Sequence, residues 1–97
     1  MAAKEDTQSK LDLTYPGRYN VVLMNDDVTP MEFVVALLIE IFNKSAVEAT
    51  AVTLGVHEKG KDIAGSYSSE IAEQKQAEAV GMTRQNGWPL EILIEKM

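Results

Sequence analysis

Four side chains in this sequence have the chemistry to hold a polar ligand. Asn25, Asp26 and Asp27 form one run, and His57 is the only histidine. An amide oxygen, two carboxylates and a neutral imidazole nitrogen are all acceptors, so the set suits a cation or a donor-rich group. It is a poor catalytic set. There is no cysteine to serve as a thiol nucleophile or zinc ligand, and no Gly-rich phosphate loop. Asp26, Asp27 and His57 could together bind a divalent metal, which makes a small metal-dependent hydrolase the enzymatic alternative. Their spacing matches no ligand motif, and no second histidine, cysteine or acidic cluster completes them. The plainer reading makes Asn25-Asp26-Asp27 a turn and cap cluster, and His57 a C-terminal helix residue facing the dipole.

The elements that would position these groups follow from local pattern. Tyr19–Met24 is β-branched and aromatic, bounded by Gly17 and the polar run, and reads as a strand buried on both faces. Thr29 is a good N-cap and Pro30 suits a first helical position. Met31, Val34, Val35, Leu38, Ile41 and Phe42 then recur at helical spacing. Ser45 with Glu48 forms a capping box that opens a second helix. Its apolar positions include Val52, Leu54 and Val56, and Gly60 ends it. Met31, Val34 and Val35 share a face of the first helix; Thr53, Val56 and His57 share a face of the second. Should these faces meet, they frame an apolar cleft with Asn, Asp and His at its edge. Such a cleft suits a ligand with a cationic head and an apolar body. The competing reading puts Met31, Val34 and Val56 in ordinary core.

Downstream, Asp62–Tyr67 is a strand. Ser68 or Ser69 caps a third helix that runs to about Asn86, with Gly87 as its stop. Gly81 inside it costs about 1 kcal/mol relative to alanine. Leu90–Ile94 is the last strand. The order β-α-α-β-α-β predicts one small α+β domain, a three-stranded antiparallel sheet packed against three helices. Residues 1–17 are polar and aperiodic, closed by Pro16-Gly17, and read as a flexible arm before a domain over 18–97. A short strand at Leu11-Asp12-Leu13 is the alternative there.

Composition narrows the partners. The 97 residues carry 9 Lys+Arg against 15 Asp+Glu, a net charge of −6. Residues 1–20 balance Lys4, Lys10 and Arg18 against Glu5, Asp6 and Asp12, so the excess lies beyond them. That argues against nucleic acid, which needs clustered cations, and favours a cationic partner surface. The longest apolar stretch, Phe33–Ile39, is far too short for a membrane span. Without an apolar signal-peptide core near Met1, and without cysteine, the chain reads as cytoplasmic and soluble, and a monomer is its default state.

Beyond these patterns, the segment Val22-Leu23-Met24-Asn25-Asp26-Asp27-Val28-Thr29-Pro30-Met31-Glu32-Phe33-Val34 closely resembles the signature of the ClpS family. Gly55-Val56-His57-Glu58-Lys59-Gly60 resembles its second signature, Ser69–Lys75 its third and Pro89-Leu90 its fourth. The resemblance runs without apparent gaps over roughly residues 18–97. It implies a non-enzymatic adaptor, needing no cofactor, that binds the exposed N-terminal residue of a substrate. That residue is typically Leu, Phe, Tyr or Trp, and the adaptor delivers the substrate to the N-domain of a ClpA- or ClpC-like AAA+ unfoldase. By the same resemblance Asn25, Asp26 and His57 hold the free α-amino group. Met31, Val34, Val56 and Leu90 line the side-chain pocket, and Asp27 and Thr29 shape its rim. Glu70 and Lys75 match positions that face the unfoldase, and the N-terminal arm matches an extension that takes part in delivery. A regulator of the unfoldase that binds no N-terminal residue is a further alternative, which the intact Asn-Asp and His disfavour.

One position departs from the family pattern. Thr53 stands where the family usually has Met, which forms part of the pocket wall. Either the pocket becomes roomier and more polar, or the hydroxyl bonds back to the Ala49 carbonyl and specificity is unchanged.

Overall fold

The computed structural model describes residues 17–97. The predicted N-terminal arm and its alternative strand at Leu11–Leu13 lie outside the described residues, apart from Gly17. The elements are β1 (Tyr19–Met24), α1 (Met31–Phe42), α2 (Ala46–Lys59), β2 (Lys61–Tyr67), α3 (Ser69–Gln85) and β3 (Glu91–Lys96). The order β-α-α-β-α-β is the expected one. The sheet is antiparallel with β1 central, in the order β2-β1-β3.

Central placement explains the apolar run in β1. Val21 and Leu23 face the helices within the main core, joined from β3 by Ile92. Val22 points to the opposite face and is still only 2% exposed. There Ile63 and Leu93 flank it in register, and the Lys61–Glu95 ion pair spans the same face at 3.1 Å. One bulge interrupts the β1–β2 ladder: Val21 pairs Gly65 and Val22 pairs Ile63, leaving Ala64 as the extra residue. Ala64 is fully buried, so the bulge feeds an extra side chain into the core.

The helix boundaries follow their caps, with corrections. Ser45 and Glu48 form the capping box: Glu48 N–H donates to Ser45 Oγ at 3.1 Å, and Ser45 N–H donates to Glu48 Oε1 at 2.9 Å. The bonds from Ser45 hold the Glu48 carboxyl below its ordinary range. Gly60 closes α2 with φ of 91°. Thr29 does not cap α1. Pro30 occupies the N-cap position in extended conformation, without a side-chain bond. Ser68 likewise caps α3 only by position. Strand β3 starts one residue later than expected, leaving Leu90 in the connection. Leu54 is 44% exposed rather than packed, because the buried stripe of α2 runs through Ala49, Thr53 and Val56. Gly55 leaves room for the Asp62 carboxylate of β2, which would have to shift to admit a Cβ. Among the described residues, no helix is long and apolar enough to cross a membrane.

Candidate functional site

The segment between β1 and α1 is folded by its own polar groups. Asp26 Oδ1 accepts the backbone N–H groups of Val28 at 2.8 Å and Thr29 at 2.7 Å. This carboxylate, not Thr29, organises the entry to α1. Burial pushes the Asp26 carboxyl up, but the donors from Thr29 and Val28 outweigh it, so the group lies below its ordinary range. Just before it, Asn25 N–H donates to the Gly60 carbonyl at 2.8 Å. That bond fastens the loop to the end of α2, three residues past His57. Two segments far apart in sequence therefore share one rim.

Beneath the rim lies the cleft expected from the helix faces. Met31 and Val34 of α1 form one wall, and Thr53 and Val56 of α2 form another. Leu90 closes it from the segment before β3, and Asn25, Asp26, Thr29 and His57 border it. Val34, Thr53, Val56 and Leu90 are each at most 5% exposed, whereas Met31 is 41% exposed. Val35 shares its helix face but packs on the core instead. Met24 also lines the cleft, and the spacing did not mark it, since it merely ends a buried strand. Asp27 does not reach the cleft. It lies in an adjoining surface groove with Val28 and Pro30.

Two buried polar atoms at this site, Asp26 Oδ2 and Thr29 Oγ1, make no hydrogen bond of good geometry among the described residues, although the Thr29 hydroxyl lies near enough to the carboxylate to help hold that group below its ordinary range. Buried polar groups are nearly always satisfied, so an orphaned carboxylate oxygen at a cleft wall marks a place for a donor. The enclosed space is about 50 Å³. An apolar cavity that holds benzene is about 150 Å³. An aromatic group therefore enters with a wall displaced or with part of the ring outside. Met31, unbranched and partly exposed, is the wall side chain with the most rotamer freedom.

Thr53 satisfies its own hydroxyl, which donates to the Ala49 carbonyl at 2.8 Å. It lines the cleft without offering a free donor. The metal reading finds no geometric support: among the described residues, no three His, Cys, Asp or Glu side chains are grouped to hold an ion. Of the two predicted partner-facing residues, Glu70 is exposed in the first turn of α3. Lys75 is half-buried, and its Nζ donates to the Ile41 carbonyl at 2.8 Å. It thereby satisfies a carbonyl in the last turn of α1 and couples α1 to α3.

Comparison with known proteins identifies the family and the fold. A family model described as ATP-dependent Clp protease adaptor protein ClpS matches residues 14–93. The ATP-dependent Clp protease adapter protein ClpS of Desulforapulum autotrophicum is 45% identical over 95 residues, spanning 96% of this chain and 91% of that protein. The Helicobacter hepaticus protein of the same description is 45% identical over 85 residues, spanning 88% and 86%. Among solved structures, Agrobacterium tumefaciens ClpS2 bound to L-phenylalaninamide superposes with a TM-score of 0.82 at 34% identity, covering 86% of this chain and all of that one. With the family model, the relatives and the fold all in agreement, the chain belongs to the ClpS family of Clp protease adaptors, which are not enzymes.

Proposed function

We propose that this adaptor binds the exposed N-terminal residue of a substrate protein, Leu, Phe, Tyr or Trp, and delivers the substrate to a Clp AAA+ unfoldase. The observation that carries this reading is the unpartnered Asp26 Oδ2 at the edge of a small apolar cleft. An α-ammonium is a compact cation with three donors. In this reading, Asp26 Oδ2, the Asn25 amide oxygen and a His57 ring nitrogen accept its protons. The first side chain descends among Met31, Val34, Thr53, Val56 and Leu90, where burial stabilises it by about 25 cal/mol per Å². Asp27 and Thr29 border the path of the second residue. The ClpS2 relative supports the assignment, since L-phenylalaninamide presents a free α-amine beside an aromatic side chain.

Delivery is the coarser part of the proposal. Residues 1–17 serve as an arm on an adaptor domain of 18–97. Glu70 and Lys75 face the N-domain of a ClpA- or ClpC-like unfoldase. The adaptor acts as a cytoplasmic monomer. A binding scan over peptides that differ only in their first residue tests the reading. The expected result is tight binding for Leu, Phe, Tyr and Trp and none for Gly or Asp. Equal affinity across the series would overturn it.

A further inference from the structure

The wall that Leu90 contributes is held in an unusual way. Leu90 is 1% exposed, yet it precedes β3, whose ladder with β1 begins at Glu91 opposite Met24. The residue before it, Pro89, has no N–H to anchor the chain. The turn out of α3 is closed by the two bonds of a Schellman motif. Gly87 N–H donates to the Arg84 carbonyl at 3.0 Å, and Trp88 N–H donates to the Thr83 carbonyl at 3.1 Å. Gly87 adopts the φ of 77° that this closure requires. Leu90 packs into the core, and beyond the turn one side chain adds hydrogen bonds to this segment. Arg84 Nη1 donates to the Trp88 carbonyl at 2.9 Å and to the Leu90 carbonyl at 3.0 Å. A single guanidinium nitrogen thus grips the chain on both sides of Pro89 with charge-assisted bonds. Arg84 does not line the cleft.

We propose that Arg84 is a positioning residue for the cleft: by strapping Trp88–Leu90 it fixes the Leu90 wall and so the size of first residue accepted. This rests on the reading of the cleft as a side-chain pocket. Without the strap the segment pivots about Pro89 and the wall recedes. A gap of about 0.5–1 Å forfeits a quarter to a half of a dispersion contact. Leu cannot fill that gap and Trp can, so the loss is selective.

The test compares Arg84→Met, which keeps the apolar stem but no donors, with Arg84→Lys, which keeps a cationic donor. Affinities are measured for otherwise identical peptides that begin with Leu or Trp, alongside the methyl NMR signals of Leu90 in the free proteins. Arg84→Met should raise the Leu-to-Trp ratio of dissociation constants by about threefold or more and shift the Leu90 methyls. Arg84→Lys should return both toward the wild-type values. If Arg84→Met unfolds, Arg84→Gln, whose shorter amide reaches at most one carbonyl, takes its place with the same expectation. An unchanged ratio with unchanged Leu90 methyls would overturn the proposal, even if the melting temperature falls. If the wild-type chain binds neither peptide, the functional reading fails, and the Leu90 methyls alone decide whether Arg84 sets the wall.

Discussion

The rim of the cleft and its floor are built from different interactions. At the rim, Asn25 and His57 are exposed, and the loop is held by short backbone bonds to Asp26 and Gly60. In the floor, Val34, Thr53, Val56 and Leu90 are buried and come from three separate segments, α1, α2 and the connection before β3. The rim offers charge and acceptors where water competes, with one carboxylate oxygen removed from water. The floor offers only shape. A change at the rim should therefore weaken all first residues alike, whereas a change in the floor should reorder them.

The largest expected effect belongs to the rim. Asp26→Ala removes the proposed acceptor for the ammonium, and binding should fall by about 2–5 kcal/mol for Leu, Phe, Tyr and Trp peptides equally. Titration calorimetry on the folded variant measures this, and a loss confined to one peptide would break the distinction between rim and floor. Acid should act on the same residue. The Asp26 carboxyl lies below its ordinary 3.8, because the Thr29 and Val28 donors outweigh burial. Its folded state favours the charged form, so its contribution to stability is present above that ordinary value and is lost as pH falls through the lowered one. Urea unfolding midpoints followed into acid should therefore drop more steeply for the wild type than for Asp26→Ala. Parallel curves would show that the carboxylate does not stabilise the loop.

Floor changes should be smaller and selective. Met31 stands in the first turn of α1 beside the acceptor loop, where the extra methyl of a β-branched first residue would lie. Met31→Ala should admit Val and Ile peptides, with about 0.8 kcal/mol for each methyl buried. Continued refusal of Ile with retained Leu binding, by fluorescence anisotropy, would place the exclusion elsewhere. Thr53→Met should have the least effect. The Thr53 hydroxyl is already bonded to Ala49, so the change is one of volume rather than polarity. The longer side chain should favour Leu over Trp by more than about twofold, through recovered dispersion contacts. A smaller change would mean that neighbours have already collapsed against Thr53.

How far the sequence disclosed this arrangement also differs between rim and floor. The capping box at Ser45, the stop at Gly60 and the strand Tyr19–Met24 are local signals, and each appears where expected. The shared faces of Met31 with Val34 and of Thr53 with Val56 follow from helical period, and the two faces do meet. Thr29 was misjudged because cap preference describes a residue type, while Asp26 was better placed to take the loop N–H groups. Leu54 is apolar yet exposed, and its residue type alone cannot say which side of α2 the sheet covers. Leu90 entered through family resemblance alone. Its role depends on the end of α3 meeting the end of β1, a long-range event with no local pattern. The bonds that Arg84 and Lys75 make carry no visible signal, since their partners are backbone carbonyls, which every sequence contains.

The central claim is that the rim recognises a charged α-amine while the floor takes the side chain. It is tested most directly by the affinity of one Phe-initiated peptide, free and N-acetylated. Acetylation removes the charge and leaves the phenyl group unchanged, so the floor contacts persist and the rim acceptors lose their partner. The account predicts a loss of about 2–5 kcal/mol, roughly thirtyfold or more in the dissociation constant. Equal affinity for the two peptides would contradict it.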